Sequence, residues 1–591
     1  MVSGLVVANS MKPTTEKAKT FIAAAVEFNP AFYDRDGNLE ALAIDIERAL
    51  KHGARLIVTP EMALTGYLYT DRDDIAPYVD TIPGRATDRL GELAAAYDSY
   101  IVLGMPEKDE ATGLFYNAAA LIGPKGVVGK YRKVHQWEAE QHWSAWGDLE
   151  FPVFETDLGR IGLNICMDST FFESSRIVAL RGADIIAFPT NSSVQAIFAN
   201  QARALQNGVY VIGANRNTVE KDHHMVGMSA IWGPDGDLLA EAPYVAKGEA
   251  SPTETSIVYA TIDTGRYKTR EARLAGRRPD IYQPLMLKVA PWDYTTDNSE
   301  RELTAIAVQY EPSLGEKDRN YASISAQLDD TISADLVILP EYSLTAKGAN
   351  LTPALAKEWA EPIDGDTFKR MSRLAIAHRA NFVYSQIEED GGKLYVTAVV
   401  IGRDGMLIGT YRKTHLSALE KAWATAGNKL TVFDIPGLGK LGVLSGEDVL
   451  YPEAASILSG QSADVIAIPS SWRGVTDYGA YMAVNQGPIK NRYPDRAMVL
   501  WDSVAYSAQS YTVVANFIGS ELRYAGESAL YTLDPLYGLD QAAIEQTQQP
   551  SAFTVRFKTK QNDWWFNQFH MVSCRRTDSY KILLTHGECF R

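Results

Sequence analysis

The stretch RLIVTPEM at residues 55–62 returns 280 positions later as DLVILPEY at residues 335–342. The same displacement places Glu61 on Glu341, and it holds without a gap through every segment of the first half that carries reactive side chains. Self-similarity at a fixed period is the signature of a repeated structural unit. The chain is therefore one unit of about half its length, written twice.

A single matched position departs from this repeat where chemistry is expected. Cys166 in NICMD meets Gly446 in LSGED. One copy thus keeps a thiol among carboxylates and a lysine, and the other keeps the same surroundings without it. The surrounding pairs are Lys133 with Lys413, Glu140 with Glu420, Asp168 with Asp448, and Glu173 with Glu453.

Length and composition exclude several classes of protein. A chain of 591 residues exceeds what one hydrophobic core supports, so two domains are expected. A net charge of −16 disfavours nucleic acid and anionic membranes as partners. The N-terminal segment has only a short apolar run and is not expected to act as a leader, no run of 18 apolar residues occurs, and three cysteines suit a reducing compartment. We expect a cytoplasmic protein with a small-molecule partner, no nucleic acid and no membrane.

Strand and helix patterns alternate along both copies, as in α/β proteins. The first copy is predicted to span residues 20–287 and the second 302–591, joined by the polar linker KVAPWDYTTDNSER at 288–301. Each copy ends in a related segment, which is RRPDIY in the first copy and RRTDSY in the second. The second copy also carries about 21 extra residues around 473–496, on the side of the fold expected to hold the pocket.

Three residue types in the first copy suit attack on an amide or nitrile carbon. A thiol attacks as a thiolate, so it needs a base, and a cation must stabilise the charge that develops on the substrate. Glu61, Lys133 and Cys166 are these types, and each follows a predicted strand, where loops of an α/β sheet converge. Taken singly they could be a capping carboxylate, a solvated charge and a core thiol, but their joint repetition favours an active site.

The trio Glu61 in TPEM, Lys133 in YRKVH and Cys166 in NICMD resembles the nitrilase (carbon-nitrogen hydrolase) superfamily, over essentially the whole chain. The resemblance implies two tandem four-layer αββα sandwich domains. It also implies Glu61 as general base and acid, Lys133 as stabiliser of the tetrahedral intermediate and Cys166 as nucleophile. Met167 would contribute its backbone N–H to the oxyanion hole, and Asn191 is a second candidate for oxyanion or substrate binding.

The family usually has a second glutamate after the lysine, and Glu138 and Glu140 compete for this role. Under the repeat Glu138 meets Ala418, whereas Glu140 meets Glu420. The sequence therefore favours Glu140 as the residue that positions substrate and supports the lysine. His135 and His415 follow the two lysines at one offset and are interpreted as structural or supporting residues.

The second copy is predicted to be catalytically inactive because glycine has no side chain to replace the thiol. Ser445 is adjacent to Gly446, but one residue along an extended strand points to the opposite face. The retained Glu341, Lys413 and Glu420 would form either a buried charge network or a binding pocket for a ligand that is not cleaved. The second copy is also expected to pair with the first as an internal pseudo-dimer, with further homo-oligomers left open.

The residues after the nucleophile favour an amide over a nitrile. True nitrilases resemble one another in having Trp-Glu after the cysteine, and this chain has Met167-Asp168. Carbamoyl-amino-acid hydrolases carry arginines slightly further on, where this chain has STFF, although Arg203 or an arginine of the other copy could serve. We expect an amidase for a small linear amide. The alternatives are an acyltransferase, a nitrilase and a binding module. No cofactor or metal motif appears.

Overall fold

The computed structural model describes residues 19–192, 194–246, 248–288, 301–329, 333–348, 351–473, 484–485, 497–531, 543–559 and 567–587. Most of the predicted linker, most of the insertion around 473–496, the N-terminal segment and Cys589 lie outside these residues. Among the residues that the structure describes, no helix combines the length and apolar character needed to span a bilayer.

The first copy contains two six-stranded sheets. The first has the order β14-β1-β2-β3-β4-β5 and the second β13-β12-β9-β8-β7-β6, with β10 and β11 as a separate pair. The strands are β1 Thr20–Glu27, β2 Ala54–Val58, β3 Tyr100–Lys108, β4 Phe115–Gly123, β5 Gly126–Arg132, β6 Val153–Thr156, β7 Gly159–Leu163, β8 Ile185–Pro189, β9 Tyr210–Ala214, β10 Val219–Glu220, β11 His223–His224, β12 Ala230–Trp232, β13 Leu238–Glu241 and β14 Ser256–Asp263.

The second copy repeats this arrangement. Its sheets have the orders β19-β18-β17-β16-β15-β30 and β20-β21-β22-β25-β28-β29, and two short pairs are β23-β24 and β26-β27. The strands are β15 Arg301–Gln309, β16 Leu336–Ile338, β17 Asn381–Asp390, β18 Lys393–Ile401, β19 Leu407–Arg412, β20 Val432–Ile435, β21 Gly439–Val443, β22 Val465–Pro469, β23 Val484–Asn485, β24 Ala497–Met498, β25 Tyr511–Ala515, β26 Ile518–Gly519, β27 Tyr524–Ala525, β28 Ala529–Tyr531, β29 Ala543–Ile544 and β30 Ser551–Thr559.

Helices cover the outer face of each sheet, so each copy is a four-layer αββα sandwich. In the first copy α1 and α3 pack on the first sheet and α4 and α5 on the second, with an apolar core between the sheets. The helices are α1 Arg35–Lys51, α2 Arg72–Ile75, α3 Arg85–Ala96, α4 Phe172–Leu180, α5 Val194–Asn207, α6 Thr269–Leu274, α7 Lys317–Leu328, α8 Pro353–Trp359, α9 Asp366–His378, α10 Pro452–Gly460, α11 Val499–Ala508 and α12 Gln568–Ser573.

Local sequence explains where these elements start and end. Helix α1 begins earlier than its apolar pattern indicates because the Asp34 carboxylate caps it, accepting a hydrogen bond from the N–H of Gly37 at 3.0 Å.

Strand β14 was not predicted from the sequence. It pairs antiparallel with β1 along its whole length at the edge of the sheet. Its core-facing residues are Ala260 and Ile262, and the rest is at least partly exposed, so its pattern is weak.

The second sheets of the two copies face each other through their helices. Helix α5 packs against α11, and Arg176 of α4 forms an ion pair with Glu453 of α10 at 3.0 Å. Every residue of α4 is buried. A helix buried on all sides needs a partner on the face turned away from its own sheet, and here the other copy supplies that partner.

The segments that close each copy continue onto the other copy. Arg277 reaches Glu453 at 2.7 Å, and the Tyr282 hydroxyl lies 2.8 Å from Nε2 of His415. Reciprocally, the Tyr580 hydroxyl lies 2.6 Å from Nε2 of His135. The related RRPDIY and RRTDSY segments therefore join the two halves rather than merely ending them.

We expect Glu453→Ala to destabilise the protein strongly. Glu453 is fully buried between Arg176 and Arg277. Burial alone would raise the pKa of Glu453, but these two guanidinium groups outweigh it and hold the pKa below its usual value. Removing the carboxylate leaves two buried cations uncompensated, at a cost of about 3–5 kcal/mol in the free energy of unfolding.

Chemical denaturation followed by circular dichroism measures this loss. The control is Glu302→Ala, at an exposed position on β15, which should change the free energy of unfolding by less than about 0.5 kcal/mol. Equal stability of the Glu453→Ala variant and the parent would contradict this account of the interface.

Candidate active site

Glu61, Lys133 and Cys166 converge where three strands end. Glu61 lies three residues after β2, Lys133 directly follows β5, and Cys166 starts a short 3-10 turn after β7. Lys133 Nζ donates to Glu61 Oε1 at 2.8 Å, and both side chains are fully buried. The structure thus brings together the three residues that the sequence selected.

The turn that carries Cys166 is fixed by Asp168. The Asp168 carboxylate accepts hydrogen bonds from the N–H of Ile165 and the hydroxyl of Tyr131, both at 2.8 Å. It also lies 2.8 Å from Nδ1 of His135. Tyr131 and His135 lie two residues before and two residues after Lys133. The buried Asp168 carboxylate therefore connects the turn that begins at Cys166 to the segment that carries Lys133. Cys166 has φ +45°, the left-handed conformation that costs energy in residues other than glycine.

Glu61 has one oxygen engaged and one available. Its Oε1 accepts hydrogen bonds from Lys133 and, at 2.6 Å, from Nδ2 of Asn117. Its Oε2 is buried and has no hydrogen-bond partner among the described residues. An unpaired buried carboxylate oxygen is costly, and such sites often serve a function. Oε2 is thus able to accept a proton from a thiol or from water.

The structure distinguishes the two competing glutamates. Glu140 is buried, and its Oε1 accepts hydrogen bonds from Lys133 and from the hydroxyl of Tyr67. Glu138 is exposed. Burial raises the pKa of Glu140 to about 7, with the positive charge of Lys133 opposing the rise. The lysine is therefore held between two carboxylates, as the repeat predicts.

Cys166 is buried, but less completely than Glu61 and Lys133. The residue is 9% exposed, and its Sγ lies 3.6 Å from the Ser192 hydroxyl and 4.0 Å from the carbonyl of Asn191. Burial and the nearby charge of Glu61 raise the pKa of Cys166 to about 12, although Lys133 lowers it in part. The resting thiol is therefore protonated at neutral pH and needs a base to become nucleophilic.

The two remaining candidates lie beside the thiol. Met167 is the second residue of the 3-10 turn that begins at Cys166. The Asn191 side-chain amide donates to the backbone carbonyl of Glu61 at 3.0 Å, and the backbone carbonyl of Asn191 lies 4.0 Å from Sγ. The structure thus places Asn191 beside both Glu61 and the thiol, and its role in oxyanion or substrate binding stays a prediction.

Several residues of the site were missed by sequence reasoning. Asn117 interrupts the apolar strand FYNAAALI, and this lone polar residue was a usable signal. Tyr67 and Ser192 lie in loops and align with Lys347 and Trp472, so the repeat gave no indication of them.

The second copy also contributes directly to the surroundings of Cys166. The Tyr506 hydroxyl of α11 lies 2.6 Å from the hydroxyl of Thr170, just beyond the thiol turn. Met571 of α12 packs on Phe171 and Met167. These contacts join residues of the second copy to residues of the first, so the sequence alone does not predict them.

In the second copy the same constellation surrounds Gly446. Lys413 Nζ donates to Glu341 Oε1 at 2.8 Å, and Lys413 pairs with Glu420 at 3.0 Å. Gly446 has φ +47°, close to that of Cys166, so the backbone of the thiol turn persists without the thiol.

Two further replacements add an ion pair to the second copy. Lys347 replaces Tyr67 and Glu447 replaces Met167. Lys347 Nζ lies 2.9 Å from Glu420 and 3.3 Å from Glu447, and Glu447 also contacts Lys413. The carboxylates of Glu341, Glu420 and Glu447 converge within 4.8 Å, a spacing that could hold a metal ion, but the two ammonium groups already compensate two of the three negative charges.

The expectation that Ser445 faces away from the site is wrong. Its hydroxyl donates to Glu341 Oε1 at 2.8 Å. Strand β21 ends at Val443, and Gly446 then turns the chain through its positive φ, so strand alternation no longer applies. The Ser445 side chain is nevertheless fully buried beneath Glu341.

Comparison with known proteins identifies the family. The sequence model of the carbon-nitrogen hydrolase family matches residues 22–271 and 304–534. The chain therefore belongs to the carbon-nitrogen hydrolase family, and it contains two tandem copies of the family domain.

Individual relatives have about the length of one copy. A nitrilase of Pyrococcus abyssi is 37% identical over 253 residues, which cover 42% of this chain and 92% of that protein. Omega-amidase NIT2 of Bos taurus is 31% identical over 258 residues, covering 40% of this chain and 88% of that protein. A solved structure of a carbon-nitrogen hydrolase from Helicobacter pylori G27 is 26% identical, covers 45% of this chain and 98% of its own, and has a TM-score of 0.40.

We expect the thiolate of Cys166 to form only at alkaline pH in the substrate-free protein, because burial and Glu61 disfavour it. Glu61→Gln removes one negative charge and should lower the midpoint of ionisation by about 1–3 pH units. The rate of iodoacetamide labelling, followed across pH on the Cys166 peptide by mass spectrometry, measures this midpoint. Glu138→Gln, at the exposed glutamate, is the control. A midpoint below neutral pH, or one raised by Glu61→Gln, would contradict this electrostatic description.

Glu140→Gln should lower kcat/KM by about 10²-fold or more, because Lys133 loses a buried carboxylate that fixes its ammonium group. Glu138→Gln should stay within about twofold of the parent, since an exposed charge two residues away contributes little. Steady-state kinetics of the two variants on one substrate gives the comparison. Equal losses of kcat/KM in the two variants would mean that the buried Glu140 contributes no more to activity than the exposed Glu138.

Proposed function

We propose that the first copy is an amidohydrolase that cleaves a small, uncharged linear amide through a thioester on Cys166, releasing ammonia or an amine. The observation that carries this proposal is the buried Glu61–Lys133–Glu140 cluster beside the thiol of Cys166. Membership of the carbon-nitrogen hydrolase family and the names of its omega-amidase and nitrilase relatives support the same reaction class.

In the proposed first half-reaction, Glu61 Oε2 takes the proton of the Cys166 thiol as Sγ attacks the amide carbon. Lys133 Nζ and the N–H of Met167 stabilise the negative oxygen of the tetrahedral intermediate. Glu61 then passes its proton to the departing nitrogen, the C–N bond breaks and a thioester remains.

In the second half-reaction water attacks the thioester carbon. Glu61 accepts a proton from that water and returns it to the departing sulfur, so the thiol is regenerated and a carboxylic acid is released. One amide and one water are consumed in each cycle. Glu140 holds Lys133 throughout and fixes the direction of its ammonium group.

The side chains around the thiol favour an uncharged substrate. Met167, Phe171 and Met571 form an apolar cluster beside Cys166. Arg203, which could have clamped a substrate carboxylate, is buried and instead donates to the carbonyl of Ser169 at 3.1 and 2.9 Å. The Arg203 guanidinium therefore stabilises the turn that begins at Cys166.

We further propose that the second copy is inactive and takes the place of a partner subunit. Its Tyr506, Met571 and Tyr580 contact residues next to the catalytic trio. These contacts would hold the thiol turn and the lysine strand in register, so the pair acts as an internal pseudo-dimer.

Ammonia release from a panel of amides, carbamoyl compounds and nitriles tests the proposed function. We expect release from at least one neutral amide, and we expect Cys166→Ala to abolish it. Gly446→Cys in the Cys166→Ala background should not restore it, because a Cβ there would lie 2.7 Å from Lys413 Nζ and 2.8 Å from Glu341 Oε1.

Two results would contradict the proposal. Release that survives Cys166→Ala would place the chemistry elsewhere in the chain. Release confined to nitriles would replace the amidase assignment with a nitrilase. Circular dichroism of each variant shows whether a loss of activity reflects a loss of folding.

A further inference from the structure

A cavity of about 470 Å³ lies over the altered site of the second copy, between the two copies. Glu447 and Lys347 form part of its wall, as do Tyr451 and the segment Leu416–Leu419. The opposite wall comes from the first copy, at residues 272–276 around the end of α6. Its volume suits a small metabolite.

This cavity is basic in a chain whose net charge is −16. Four cationic side chains line it, together with the carboxylate of Glu447. Asp235 pairs with one of these cations at 3.3 Å, and Lys413 lies beneath Glu447. Among the described residues that line the cavity, the four cations outnumber the single carboxylate. The four cations are Arg273, Lys347, Lys421 and Arg473.

The charge is specific to the cavity over the second copy and is not repeated at the matching positions around Cys166. Each of the four cations aligns with an uncharged residue in the other half of the repeat. The displacement of 280 matches three of the pairs, and the closing segments, where Arg277 matches Arg575, give the fourth. The uncharged counterparts of Lys347, Lys421, Arg473 and Arg273 are Tyr67, Gln141, Ser193 and Met571.

The wall of this cavity matches the surroundings of Cys166. Met571 packs on Phe171 and Met167 beside the thiol. Their counterparts Arg273, Tyr451 and Glu447 all line the cavity. The surroundings of Cys166 and the cavity of the second copy are thus built from matching positions, with apolar side chains where the thiol is present and charged side chains at two of the three positions where it is missing.

Lys347 presents a charge at the base of the cavity. It is only 8% exposed, and its ammonium group donates to Glu420 and Glu447. An ammonium has three N–H donors, so these two bonds leave one further donor for a ligand. Arginine guanidinium groups on the walls match the planar fork of a carboxylate and the oxygens of a phosphate.

We propose that this cavity binds a small organic anion through a carboxylate or phosphate group and does not cleave it. Gly446 provides no nucleophile, and the buried ion pairs beneath fix Lys347 for binding. Because Arg273 belongs to the first copy and the other three cations to the second, the bound anion would contact both halves of the chain.

Isothermal titration calorimetry on the full-length Cys166→Ala protein tests this proposal without any hydrolysis, so it is independent of the proposed amidase activity. The probes are succinate, inorganic phosphate and the neutral analogue succinamide. We expect one of the two anions to bind at the cavity and binding to weaken as KCl is raised. Binding of succinate alone identifies a carboxylate ligand, and binding of phosphate alone identifies a phosphate ligand.

Variants that install the uncharged counterparts from the other half of the repeat locate the binding. Arg273→Met with Arg473→Ser, and separately Lys421→Gln at an exposed position, should each weaken the anion by several-fold, the double variant by about tenfold or more. Lys369→Met removes the same charge from an exposed position on α9 and should leave the affinity unchanged. No binding of either anion at millimolar concentration, or binding equal in the double variant and in Lys369→Met, would overturn the proposal.

Discussion

A lysine held between two buried carboxylates is the constraint on which both halves of this protein depend. Lys133 has no exposed side-chain surface and pairs with Glu61 and Glu140, and Lys413 does the same with Glu341 and Glu420. Removing Lys133 would leave the buried carboxylates of Glu61 and Glu140 without their cation, at a cost of several kcal/mol. This cost favours retention of the cluster with or without a thiol beside it, and the second copy retains Glu341, Lys413 and Glu420 without the thiol.

The two copies differ in how the space around this cluster is used. The first has a protonated thiol, a free oxygen on Glu61 and apolar walls. The second replaces Tyr67 and Met167 by the ion-paired Lys347 and Glu447. Both clusters keep one formal excess negative charge, so the two replacements compensate each other. The same backbone turn thus carries a thiol among apolar side chains in one half and lies beside a charged cavity in the other.

The internal repeat made much of the fold and of the candidate site predictable. It fixed the alignment that favoured Glu140 over Glu138, and strand patterns placed the trio at converging loops. Sequence reasoning failed where the chain leaves regular structure, as at Ser445, whose direction depends on the left-handed turn at Gly446. It also failed where a contact joins distant segments, as for Tyr506 on Thr170. Such contacts follow from packing, which no local pattern records.

The most direct test is to locate the acyl group during turnover. The protein is mixed with a neutral amide that it hydrolyses, quenched in acid within the steady state and digested for peptide mass spectrometry. The account predicts an acyl adduct on Cys166 and on no serine of the second copy, with a mass equal to the amide minus its amine. An adduct on Ser445, or steady hydrolysis in the Cys166→Ala protein, would contradict the division between a working and a disabled half.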